Sequence, residues 1–128
     1  MKKLMFAATT LLIINGICLG FNKMHVGYIK DRGWYCPECD LSGADLKKMK
    51  LGDINLHKAN LSNADLTEAD LTGADLTGAN LTGANLDQAQ LDLADFSQAN
   101  LTDSRLTKTN LKWVNLTNTT MADGAKHP

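Results

Sequence analysis

Leucine recurs at every fifth position through most of this chain, and that period alone removes most folds from consideration. From Cys39 the sequence divides into fives, among them CDLSG, ADLTG, ANLTG and ANLDQ. The centres are Leu41, Leu46, Leu51, Leu56, Leu61, Leu66, Leu71, Leu76, Leu81, Leu86, Leu91, Phe96, Leu101, Leu106, Leu111 and Leu116, and Met121 closes a run of 17 repeats. Two places before the centre stands alanine in ten of them. A repeat this long has to be explained before anything else.

An α-helix cannot use this pattern. Five residues advance a helix by about 500°, so successive leucines would wander round it by about 140° and form no stripe. A flat strand fails as well. Alanine and leucine two apart share one face, but the next alanine, three further on, faces the other way. A corner in every repeat satisfies both spacings. Each short extended piece then turns its alanine and leucine inward, and the polar residues stay outside. Gly43, Gly73, Gly78 and Gly83 fall where tight turns call for positive φ. The fold predicted is an all-β solenoid.

In tandem, A-(D/N)-L-(T/S)-G resembles the pentapeptide-repeat family over residues 39–123, about two-thirds of the chain. The resemblance implies a right-handed quadrilateral β-helix in which four pentapeptides make one coil. Asn60, Asn80 and Asn100 lie twenty apart and would stack in one ladder, as would Ser42, Ser62, Thr82 and Thr102. The repeats then form about four coils, roughly 20 Å of stack at about 4.8 Å each. The same spacing sets Lys50 beside Asp70, Lys48 beside Glu68 and Asp92 beside Lys112. Each such exposed pair is worth about 0–1 kcal/mol. Asp45 meets Asp65, and Asp75 meets Asp95, as like charges.

The two ends read differently. Met1, Lys2 and Lys3 precede an apolar run from Leu4 to Leu19, closed by Gly16, Cys18 and Gly20. A short basic start, an apolar centre and a small-residue exit predict a secretory signal peptide over residues 1–20, cleaved after Cys18 or Gly20. The alternative is an inner-membrane anchor that stays uncleaved, but the run is shorter than a span needs and carries Asn15. Asn15, Gly16 and Ile17 do not look like the approach to a lipid-modified Cys18. A periplasmic or secreted mature protein with no stable membrane insertion is expected. Residues 21–38 hold Phe21, Tyr28, Trp34 and Tyr35 and are expected to cap the first coil. Residues 124–128 form a short polar tail that covers little, so the last coil is expected to be open. The resemblance allows self-association there, as in family members that pair through their C-terminal ends, although this chain lacks their aromatic-rich terminal coils.

Removing Lys2 and Lys3 leaves 11 basic residues against 14 acidic ones, a net charge of −3 that gives no case for nucleic acid. Residues 59–104 contain eight carboxylates and no Lys or Arg. Leu93 and Trp113 occupy the outer last place of their repeats, twenty apart, and mark a candidate contact patch near the open end.

Cys36 and Cys39 form C-P-E-C. A capping disulfide or structural packing fits an exported chain best. A thiol-redox pair lacks a thioredoxin-like unit, and a zinc site would need His25 and His57 as further ligands. The Asp residues before each leucine belong to the repeat, and no Ser–His–Asp set, phosphate loop or HExxH motif occurs. The N-x-S/T matches are by-products of the repeat. An enzyme with a cofactor is not expected, because leucine and alanine fill the interior. The leading expectation is a rigid protein-binding or structural module. The resemblance also offers a DNA mimic that binds DNA gyrase, from which this chain departs in its export signal, its few coils and its leucine centres.

Overall fold

The computed structural model describes the backbone at residues 13–14 and 17–18, and residues 35–128 throughout. β1 (Ile13–Ile14) and β2 (Ile17–Cys18) pair antiparallel. The predicted signal segment and the aromatic lid of Phe21, Tyr28 and Trp34 otherwise lie outside the described residues.

From Tyr35 onward the chain winds in coils of twenty residues. Parallel bridges join Tyr35 to Asn55, Asp40 to Asn60, Lys50 to Asp70, Asn60 to Asn80 and Asn80 to Asn100, each pair twenty apart. A coil therefore has four sides, as the asparagine spacing requires. Each intact rung carries three backbone bonds. Leu81 N–H donates to Asn100 O at 2.8 Å, Gly83 N–H to Thr102 O at 2.9 Å, and Asn100 N–H to Ala79 O at 2.9 Å. The solenoid starts one pentapeptide earlier than Cys39, because Cys36 N–H donates to Asn55 O at 2.8 Å and Glu38 N–H to His57 O at 2.7 Å. Residues 35–38 are thus the first described side of a coil and not part of a separate lid.

The repeat motif follows from how each corner is closed. The residue after the next corner donates back to the leucine carbonyl, as Ala74 N–H does to Leu71 O at 3.0 Å. Such a turn holds its third residue at positive φ. Gly73 sits at φ 69°, and Lys48, Asn63, Gln88 and Leu93 adopt φ 56°, 57°, 61° and 60° without the freedom of glycine. The Asp or Asn before the leucine binds the turn from outside. Asp70 Oδ1 accepts Thr72 N–H at 3.0 Å, and Asn80 Oδ1 accepts the Thr82 N–H at 3.1 Å and hydroxyl at 2.7 Å. Short polar side chains do this best, which accounts for the D/N and T/S places.

Two of these corners give a graded prediction. Gly43 and Gly73 share the left-handed backbone, but a Cβ on Gly43 meets nothing within 4 Å, whereas one on Gly73 would run into Asp53 Oδ1. Gly43→Ala should lower stability by about 1 kcal/mol. Gly73→Ala should cost only slightly more, because the exposed Asp53 carboxylate must swing aside, and adding Asp53→Ala should bring the loss back to the Gly43→Ala level in urea unfolding.

The corner carboxylates link stability to pH. Hydrogen bonds from the Thr72 hydroxyl and backbone hold the Asp70 carboxyl below its usual range, and those from Ser42 do the same for Asp40. A folded value below the unfolded one contributes stability that is complete above pH of about 4 and is lost as pH falls through the lowered value. Acid titration of the urea midpoint should therefore fall below that pH, and Asp70→Asn should make the fall shallower.

Inside, the column is dry. Leu56, Leu61, Leu66, Leu71, Leu76, Leu81 and Leu86 are 0% exposed, and Phe96 fills its place at 1%. The intervening alanines, such as Ala59, Ala69 and Ala74, are also 0% exposed, so no larger side chain fits between the leucines. The column is complete only as far as Leu101. Leu106, Leu111 and Leu116 are half-buried, because no further coil lies over them.

Candidate interaction surface at the C-terminal end

Cys36 and Cys39 lie in the first described coil and are joined, so neither offers a reactive thiol. Cys36 takes a central inward place and Cys39 the small one, at 2% and 0% exposure, and a disulfide joins them with Cα atoms 5.5 Å apart. No group of His, Cys, Asp or Glu able to hold a metal occurs among the described residues. A disulfide across so short a loop constrains the unfolded chain by about 2 kcal/mol. Reduction should lower the unfolding free energy by about that much and leave the coils folded.

Leu93 and Trp113 lie twenty apart on one side and are the most exposed large apolar residues described, at 73% and 61%. The ladder is broken between them. Bridges run from Asp70 to Gln90 and from Asp95 to Asn115, but none joins Gln90 to Asn110. Trp113 also lacks the positive φ that Lys108 and Asn118, the corners on either side, adopt at 58° and 57°. A bulky aromatic is costly in the left-handed region. A corner with negative φ turns its central peptide over, so the Lys112 carbonyl no longer faces Leu93 N–H. The expected Asp92–Lys112 pair is absent among the described residues. The Lys112 ammonium lies 4.9 Å over the Trp113 ring instead.

Other outer pairs behave more simply. Lys48 and Glu68 pair at 3.6 Å as the spacing implies, and Lys47 adds a contact to Asp65 at 3.1 Å. Arg105 pairs with Asp87, whose other oxygen accepts Thr107 N–H at 2.8 Å. That last pair joins the final coil to the one before it. Its sequence sign is Asp87 standing where Ser or Thr is usual.

The end of the solenoid is partly closed by the tail, which covers more than its composition suggested. Thr120 and Lys126 form an antiparallel bridge, Met121 N–H donates to Ala125 O at 2.7 Å, and His127 N–H donates to Thr119 O at 2.8 Å. The Lys126 ammonium reaches Asn118 O at 3.3 Å. Residues 121–128 surround a shallow groove of about 520 Å³ there. The other three sides of the last coil have no strand over them among the described residues. Ser104, Thr109, Val114 and Thr119 replace alanine at its inward places. The Thr109 and Thr119 hydroxyls donate to Leu86 O and Phe96 O at 2.7 Å each, while the buried Ser104 hydroxyl has no partner. This change of residue type is the sequence signal that the stack is ending.

Comparison with known proteins matches this architecture. The family described as "Pentapeptide repeats (8 copies)" aligns with residues 39–78 and 79–118. No curated protein sequence matches the chain. Among solved structures, HetL from the cyanobacterium Nostoc sp. strain PCC 7120, a pentapeptide repeat protein involved in heterocyst differentiation regulation, is 39% identical over 71% of this chain, with a TM-score of 0.68. Rfr23 from the cyanobacterium Cyanothece 51142 is 40% identical over 62% of the chain, with a TM-score of 0.62. A third, alr5209 from Nostoc PCC 7120, is 35% identical over 64% of this chain and 64% of its own, with a TM-score of 0.51. The chain spans 42% of HetL and 54% of Rfr23. Rungs twenty residues apart, corners every five and these likenesses agree: the chain belongs to the pentapeptide-repeat family and folds as its right-handed quadrilateral β-helix.

Proposed function

We propose that the mature protein is an exported, non-enzymatic module that binds another protein through its C-terminal end. Pentapeptide-repeat proteins are generally structural or binding modules, which supports the broad class. The observation that carries the rest is Leu93 and Trp113, exposed together beside a broken rung at an end only partly covered. Aromatic residues in such settings dominate binding energy more often than polar ones. Export rests on Met1, Lys2 and Lys3 before the apolar run and on the small residues that close it.

Envelope and cytoplasmic fractions of the source cell, each followed by N-terminal sequencing, test the first part. The expected result is a chain beginning at Leu19 or Phe21 in the envelope fraction or medium. Recovery from the cytoplasm with Met1 intact would overturn export and favour the gyrase-binding alternative. Affinity capture tests the second part. The mature chain should retain a discrete partner that Trp113→Ser and Leu93→Ser release, and equal retention by all three removes the patch from the account.

A further inference from the structure

The final coil differs from the others in charge as well as in packing. Residues 104–122 contain Arg105, Lys108 and Lys112 and no carboxylate, directly after a stretch with eight carboxylates and no Lys or Arg. Arg105 is neutralised by Asp87. Lys108 and Lys112 are exposed and meet no carboxylate among the described residues. They stand at the two corners of one open side, with half-buried Leu111 between them and Val114 just beyond.

That side also has an unfilled backbone edge. In complete coils the central leucine N–H donates to the coil that follows, and the carbonyl of the small inward residue accepts from it. On the final coil Leu111 N–H and Thr109 O have no such coil and meet no other backbone group described. The tail solves this problem ten residues further on. It gives Ala125 O to Met121 N–H and His127 N–H to Thr119 O, and Met121 and Thr119 hold the same repeat places as Leu111 and Thr109. The same repeat places on the opposite side of the coil thus accept an antiparallel strand, which the chain itself supplies.

We propose that an extended acidic segment of a partner protein docks antiparallel along Thr109–Leu111, between Lys108 and Lys112 and beside Trp113. The inference deepens the protein-binding reading and rests on it. Strand addition supplies the acceptor for Leu111 N–H and the donor for Thr109 O, as in other edge-binding recognition. Alternate side chains of a strand point to opposite sides, so apolar ones cover Leu111 and Val114 while carboxylates reach Lys108 and Lys112. A bilayer fits the edge less well, because unpaired N–H groups are costly in hydrocarbon. A second copy brought end to end would set these lysines against their own kind.

The test uses the mature chain with Trp34→Phe, so that Trp113 is its remaining tryptophan. A blocked peptide alternating Glu and Val should shift the Trp113 emission and bind more weakly as salt is raised. A Lys–Val peptide of equal length should bind about tenfold more weakly or worse. In the chain carrying Lys108→Glu and Lys112→Glu, with its melting unchanged, the preference should reverse toward the Lys–Val peptide. Equal binding of both peptides, no reversal, or binding only to anionic phospholipid vesicles overturns the inference. So does self-association in sedimentation that the Glu–Val peptide does not compete away. Trp113-dependent capture of a partner with no preference for the acidic peptide would sink this inference alone and leave the broader reading standing.

Discussion

Leu81→Asp abolishes folding of the solenoid. Leu81 is 0% exposed, with Leu61 and Leu101 stacked above and below it at 0% and 1%. The neighbouring inward places hold buried leucine and alanine, so the carboxylate enters unpaired. An unpaired charge costs several kcal/mol even after relaxation and protonation, while single domains are stable by about 5–15 kcal/mol. The expected outcome is loss of the cooperative urea transition and of the β-type circular dichroism. Leu81→Ala separates charge from volume. It should retain the fold and lose about 2–5 kcal/mol, since the neighbouring coils are fixed by their rungs and cannot collapse into the space.

Ala79→Leu should also destabilise the solenoid, without unfolding it, for the opposite reason. Ala79 is 1% exposed and lies on the small inward row beside the leucine column. Its neighbours up and down the stack, Ala59 and Ala99, are buried at 0% and 1%, so no adjacent void can receive three more carbons. Overpacking of this kind typically costs about 1–3 kcal/mol. Here the upper part of that range is expected, because the rungs at Asn80 and Asn100 hold the backbone on both sides. Leucine at Thr109, half-buried on the final coil, should cost less than half as much once the loss of the Thr109 hydroxyl bond to Leu86 O is subtracted with Thr109→Val as the reference. A reversed order in urea unfolding would mean that the alanine places are not the tight ones.

The contrast between these two sites marks what the amino-acid pattern makes readable. Leucine at the fifth place and alanine two before it repeat so often that both inward rows can be drawn without coordinates, as can the ladder from Asn60 to Asn100. The turn chemistry is nearly as plain, since Asp or Asn before the leucine meets the backbone two residues on. What the pattern hid is local and depends on exceptions. Trp113 could be seen as an apolar residue in a polar place, but its lost left-handed corner and the broken rung depend on which way one peptide faces. Gly124–Pro128 looked too polar and short to matter, yet backbone pairing asks nothing of side-chain type, so the tail could close an edge. Lys112 was placed by the coil spacing beside Asp92, and the broken rung left it to the Trp113 ring instead.

Spin labels give the most direct measurement of coil length. Glu68 and Gln88 are exposed corner residues twenty apart, and Gln98 is an exposed corner ten beyond Gln88. If four five-residue sides make one turn, labels at Glu68 and Gln88 stand on adjacent coils and their spectra broaden strongly by mutual dipolar coupling. Labels at Gln88 and Gln98 then sit on opposite corners and should couple far more weakly. Equal or reversed broadening would contradict the four-sided solenoid on which every other claim stands.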